Sequence, residues 1–178
     1  MKYLATFITV IFMLLLVFKP ITANAETHSY RLGAGDTIVI KVYGEEALTL
    51  ETQITNSGTI NYPFLGALQL NGLTIKAVEK LVYNGLKGDY FVEPNVFVGM
   101  VLYRPFYIHG EVKQPGGYPY QPGMTVNQAV ALAGGLTERA SEDKIAISRE
   151  GSKVESERGT INSAIQAGDT ITIEQRFF

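Results

Sequence analysis

The chain of 178 residues contains no cysteine, only two histidines, and no segment after residue 25 that is apolar enough to cross a bilayer as a helix. Without cysteine no disulfide can staple the fold, so a hydrophobic core must hold it. Lipidation at a mature N-terminal cysteine is excluded on the same ground. His28 and His109 alone, with no thiol, leave a zinc site short of its usual donors, and no carboxylate spacing makes up the deficit. There is no basic run and the formal charge is −2, which argues against nucleic acid. No glycine-rich stretch is followed by Lys-Ser or Lys-Thr, so a phosphate loop is not expected. An outer-membrane barrel would need many more strand-length segments than this chain holds. What remains is a core-held protein that is soluble, or membrane-associated through partners.

The N-terminus carries an address. Lys2, an apolar stretch from Phe7 to Phe18, Lys19-Pro20 and the small-residue site Ala23-Asn24-Ala25 have the layout of a signal peptide spanning residues 1–25. The apolar run is shorter than the roughly 20 residues a spanning helix needs; an uncleaved anchor is the alternative. Cleavage after Ala25 removes Lys2 and Lys19 and takes the formal charge to −4. The exported chain is mildly acidic.

Within it, Ala34-Gly35-Asp36-Thr37-Ile38 returns letter for letter at 167–171. Each copy offers a glycine able to take positive φ and an aspartate able to accept a backbone N–H, followed by alternating apolar residues. Both read as a structural turn feeding a strand, and no reaction requires the arrangement. In the first half Thr37–Tyr43 alternates as a strand, and Gln53–Thr55 and Thr59–Tyr62 flank Asn56-Ser57-Gly58 as a hairpin. A helix follows, with Thr74 as N-cap, Leu73 and Val78 as a hydrophobic staple, and Ile75, Val78, Leu81 and Val82 as its apolar stripe. Asn95–Tyr103 is again strand-like.

Arg104-Pro105 divides the body into residues 26–103 and 104–178. After it, Phe106–Val112 and Tyr118–Tyr120 flank Gln114-Pro115-Gly116-Gly117 as a hairpin. Thr125 and Gln128 form a capping box for a helix with Val126, Ala129, Val130 and Ala133 inward, stopped by Gly134-Gly135. Lys144–Ser148 and Lys153–Glu157 flank a turn at 149–152, and Asp169–Gln175 supplies the last strand. The expected class is α+β: a small α/β domain followed by a β-grasp domain.

The order of motifs resembles the outer-membrane polysaccharide export family, the Wza type. Its export domain is matched by Tyr30-Arg31-Leu32-Gly33-Ala34-Gly35-Asp36, by Gly58-Thr59-Ile60-Asn61-Tyr62-Pro63-Phe64-Leu65-Gly66, by Gly72-Leu73-Thr74, and by Tyr90 with Pro94-Asn95-Val96. The second half resembles the SLBB module, a soluble-ligand-binding β-grasp. Its marks are Gly110-Glu111-Val112 with Pro115-Gly116, Ala133-Gly134-Gly135 and Gly168-Asp169. These residues are expected to be mainly structural.

The resemblance implies a periplasmic component of a capsule or exopolysaccharide export system, peripherally associated with the outer membrane of a Gram-negative bacterium. It implies a homo-oligomeric ring around a polysaccharide path, a heterologous assembly closed by rotation. It also implies an inner-membrane polysaccharide copolymerase or kinase as partner. Larger members carry a lipidated N-terminus, several SLBB modules and a C-terminal pore helix. This sequence shows one SLBB module and ends at Phe177-Phe178, so a separate outer-membrane pore protein is expected. A soluble periplasmic module that binds glycan or regulates synthesis without forming a conduit is the alternative.

Catalysis has little to stand on. Ser141, Glu142 and Asp143 read as a solvated loop, since neighbours on an extended chain do not face the same way. Glu45-Glu46 and Glu155/Glu157 give carboxylates without a cleft. No enzyme, metal or cofactor is expected. Tyr103, Tyr107, Tyr118 and Tyr120, with Tyr62 and Tyr90 in the first half, allow two readings. Their rings can stack on sugar faces along a glycan path, or pack in strands with the hydroxyls reaching water.

Overall fold

The computed structural model describes residues 30–152 and 156–176. The expected signal peptide, His28, Glu155 and Phe177-Phe178 lie outside the described residues.

The first half is built on β1 (Thr37–Val42), which lies between β2 (Glu45–Gln53) and β5 (Val96–Leu102) in an antiparallel sheet of order β2-β1-β5. Alternation dictates its faces: Ile38, Ile40 and Val42 are buried while Lys41 is exposed. Ile40 sits opposite Leu50 on one side and Val98 on the other. The hairpin of β3 (Thr59–Tyr62) and β4 (Gly66–Gln69) and helix α1 (Ile75–Leu86) close this core. Thr74 caps α1 by accepting the Ala77 N–H, and Leu73 packs against the same core, as a staple requires. Buried Tyr62 donates its hydroxyl to the Leu48 carbonyl at 2.9 Å, so its polar end is satisfied inside the core.

Two expectations change here. The Asn56-Ser57-Gly58 turn is present, with Gly58 N–H donating to Thr55 O at 2.8 Å. It does not join a hairpin, because β2 pairs with β1 and β3 pairs with β4; the turn carries the chain from one sheet to the other. In α1 the inward residues are Val78, Val82 and Leu86, while Leu81 is exposed. Leu81 sits one residue, about 100°, round the helix from Val82.

The second half is a five-stranded sheet of order β7-β6-β10-β8-β9, formed by β6 (Phe106–Gly110), β7 (Gly116–Tyr118), β8 (Ala140–Ser148), β9 (Glu157–Gly159) and β10 (Thr170–Gln175). Central β10 runs parallel to β6 and antiparallel to β8. Helix α2 (Val126–Leu132) lies on one face, where Val126, Ala129, Val130 and Ala133 meet Phe106, Ile108, Ile145, Ile147, Ile171 and Ile173. A mixed sheet grasping one helix, with first and last strands parallel at its heart, is the β-grasp arrangement, and the chain as a whole is α+β. Gln128 Oε1 accepts the Thr125 N–H at 2.9 Å, and Gly135 N–H bonds Val130 O at 2.9 Å to end the helix.

Three boundaries differ from the sequence expectation. β7 begins at Gly116, two residues early, because Tyr118 pairs with Phe106 and Gly116 with Ile108. Ser141, Glu142 and Asp143 belong to β8 rather than to a loop. The strand that returns after the 149–152 turn pairs at 157–159, with Glu157 opposite Ile147.

Candidate functional site

The repeated pentapeptide makes the same turn twice. Asp36 Oδ2 accepts the N–H of Gly33 at 2.8 Å, and Asp169 Oδ2 accepts the N–H of Gln166 at 2.7 Å. In each copy the aspartate N–H also returns to the carbonyl three residues back, at 3.3 and 3.2 Å. The turn's third residue needs positive φ, and Gly35 and Gly168 supply it at 92° and 84°. Asp36 and Asp169 are the two buried charged residues among those described. Each holds an arginine: Arg104 Nη1 lies 2.9 Å from Asp36, and Arg149 Nη1 lies 2.8 Å from Asp169. A buried carboxylate without such a partner would carry a large desolvation cost.

Arg104, on the segment joining β5 to β6, is the meeting point of the two halves. Its backbone N–H donates to Asp36 Oδ1 at 2.8 Å and its Nη1 to the Tyr30 hydroxyl at 2.7 Å. The Tyr30 hydroxyl donates to the Asp36 carboxylate, equidistant from both oxygens at 2.7 Å. On the other side Arg104 Nε donates to Glu150 Oε2 at 2.6 Å. Burial, then the bond to Asp36, pushes the Tyr30 phenol far above its ordinary value. Burial works against the Arg104 cation, but Tyr30, Asp36 and Glu150 outweigh it and its pKa rises. Burial raises the Asp169 carboxyl, opposed by the Gln166 N–H and Arg149. The second turn touches the same segment: Gly168 N–H bonds Pro105 O at 3.1 Å, and Tyr107 N–H bonds Asp169 O at 2.8 Å.

Beside this junction lies an open cleft of about 410 Å³, whose lining includes Gly35 and Gly168 with Asn56, Arg104, Tyr107, Ser148, Glu150 and Thr170. A Cβ on Gly168 would collide with the Glu150 carboxylate. The four tyrosines do not share a surface. Tyr103 stacks edge-on between Tyr30, at 4.9 Å, and Tyr120, at 5.6 Å. Tyr118 lies over Phe106 and donates to Gln114 O at 2.6 Å. Tyr107 alone is more than half exposed, at 52 %, and reaches the cleft. Tyr90 packs on Phe64 at the β3–β4 tip, and Tyr62 is in the core.

The remaining motif residues sit at structural corners. Pro63 and Gly66 bound the β3–β4 tip, Pro94 precedes β5, Gly110 ends β6, Pro115-Gly116 opens β7, and Gly134-Gly135 follows α2. His109 bonds the Thr172 hydroxyl at 3.1 Å. No group of three or more metal-ligating side chains occurs among the described residues. Arg104, Arg149 and Glu150 were legible only as a boundary and a turn. The one signal for them was that two buried aspartates would each need a cation.

Comparison with known proteins agrees with this architecture. Residues 24–101 match the family described as polysaccharide biosynthesis/export protein, and residues 105–157 match the SLBB domain. The chain is 34 % identical over 126 residues to the exopolysaccharide production protein ExoF of Rhizobium meliloti, covering 63 % of this chain and 30 % of the relative. It is 25 % identical over 187 aligned positions to the EPS I polysaccharide export outer membrane protein EpsA of Ralstonia nicotianae, covering 85 % and 49 %. It is 28 % identical over 130 residues to the polysialic acid transport protein KpsD of Escherichia coli, covering 71 % and 23 %. The matches thus span less than half the length of each of these relatives. The chain is a polysaccharide biosynthesis/export domain followed by an SLBB domain, and it belongs to the polysaccharide export family.

Proposed function

We propose that the chain is a non-catalytic, periplasmic component of a capsule or exopolysaccharide export system, peripheral to the outer membrane. It forms, or helps to form, an oligomeric conduit for the polymer. A separate outer-membrane pore protein and an inner-membrane copolymerase or kinase complete the path. The observation that carries this reading is the export domain followed directly by an SLBB domain, the two tied together through Arg104. A subunit of a closed ring must hold its two unlike faces at a fixed angle, and a polar lock at the inter-domain segment serves that need. The relatives' names, polysaccharide export and polysialic acid transport, support the cargo class.

The test is the mass of residues 26–178 by light scattering across a concentration series, with negative-stain images of any large species. Closed rings are expected. A strict monomer at every concentration, together with saturable glycan binding, would instead favour the soluble binding module.

A further inference from the structure

We propose that the junction cleft is a binding subsite for a carboxylate-bearing sugar unit, with Tyr107 stacking on the pyranose ring and Glu150 occupying the place of the sugar carboxylate on Arg104. The inference rests on the export reading and adds a site and a substrate class to it.

The cleft, about 410 Å³, falls within the size range of small-molecule sites. Its wall combines one exposed aromatic ring with short polar groups. Thr170 pairs with Tyr107 on one side and Ser148 on the other, so ring and hydroxyls form one row across β6, β10 and β8. That row lies on the face of the sheet opposite the helix, since its neighbours Phe106, Ile108, Ile147 and Ile171 are buried against α2. Tyr107 faces Gly117 across the β6–β7 pair, and its ring lies over that glycine, where a Cβ would meet it at 3.0 Å. A flat aromatic beside hydroxyls and the Asn56 amide suits a sugar, whose rings present C–H faces and whose rims present hydroxyls.

The charged groups add the selectivity. Arg104 is held on its inner side by buried Asp36, but on its outer side by Glu150 alone, through Nε at 2.6 Å. The Glu150 side chain is 51 % exposed, so its grip on Arg104 is open to water and exchangeable. A ligand carboxylate arriving in the cleft can replace it on the same donor, the displaced Glu150 carboxylate turning outward into water. Arg149 also lines the cleft, with its guanidinium paired to buried Asp169 at 2.8 Å.

The experiment is titration of residues 26–178 with an oligogalacturonate and with a neutral oligosaccharide of equal length, followed by NMR shifts. The acidic oligomer is expected to bind weakly and several-fold better than the neutral one. Tyr107→Ala should weaken binding of the acidic oligomer by about fivefold. Glu150→Ala, which frees the outer donor of Arg104, should strengthen it by about threefold. Because both residues are exposed, circular dichroism should confirm unchanged folding. Equal affinity for the two oligomers, no binding of either, or insensitivity to Tyr107→Ala would overturn the subsite. Failure of the export reading looks different: deletion of the gene would leave polymer secretion intact while the purified protein still bound the acidic oligomer.

Discussion

Replacing Asp36 by alanine removes the acceptor for four donors at once: Gly33 N–H, Arg104 N–H, Arg104 Nη1 and the Tyr30 hydroxyl. Each buried donor left unsatisfied costs about 1–3 kcal/mol, but the effects do not add, because Arg104 is 16 % exposed and water can reach part of it. Removing one partner of a buried ion pair costs about 3–5 kcal/mol, and that is the magnitude expected here. Against a typical total stability of about 5–15 kcal/mol, the loss is large. Asp169→Ala strands only Gln166 N–H and Arg149 Nη1, and Arg149 keeps Glu157 within 3.8 Å, so about 1–3 kcal/mol follows. Glu150→Ala opens a half-exposed pair and should cost below about 1 kcal/mol.

Urea unfolding of residues 26–178 at neutral pH, followed by circular dichroism, reads the order Asp36, Asp169, Glu150 directly. Adding Arg104→Met to Asp36→Ala should recover part of the loss, since the guanidinium is then no longer left without its inner partner. If Asp36→Ala proved no more damaging than Glu150→Ala, the junction would not be the buried lock described above.

Two further outcomes follow from the backbone and from the phenols. A Cβ on Gly110 would strike the Ile173 carbonyl oxygen at a φ of 87°, whereas Gly44, at 89°, has open space around it. Gly44→Ala should therefore cost about 1 kcal/mol of conformational strain and Gly110→Ala more than about 2 kcal/mol, by thermal or urea unfolding; equal losses would show that β6 and β10 can part to admit the methyl. Tyr30, Tyr62 and Tyr120 all have folded-state pKa values above the ordinary 10.0, each chiefly through burial. Their protonated forms favour the fold, so the stability they add is complete below that value and is lost as pH climbs through and above it. Unfolding free energies measured across the alkaline range should decline, and Tyr30→Phe should flatten the decline; an unchanged slope in that variant would contradict the assignment.

Local signals carried much of the fold. Thr74 and Thr125 announced both helices because capping is a property of a few adjacent residues, and β1 and β10 announced themselves by alternation. What failed depended on partners distant in sequence. Asn56-Ser57-Gly58 has the composition of a hairpin turn, yet β2 is already committed to β1, and a turn cannot say which strand its flanks will meet. Leu81 is apolar like its neighbours, and only the position of the sheet decides that the helix turns Leu86 inward in its place. The aspartates were read correctly as turn residues, but their arginines were invisible, because Arg104 lies 68 residues from Asp36 and nothing local links them.

The two copies of the pentapeptide differ in one respect that bears on function. Asp169 draws its cation from Arg149, within its own domain, whereas Asp36 draws Arg104 from the segment that leads into the next one. Both turns nevertheless close on the same short segment, residues 104–107: Asp36 takes Arg104, Gly168 donates to Pro105, and the Asp169 carbonyl accepts from Tyr107. A rotation of one half against the other about this segment must break a buried ion pair on one side or backbone hydrogen bonds on the other. A hinge at residues 104–107 is therefore disfavoured by several kcal/mol. Movement at this junction falls instead to groups held at one exposed point, of which Glu150 is one.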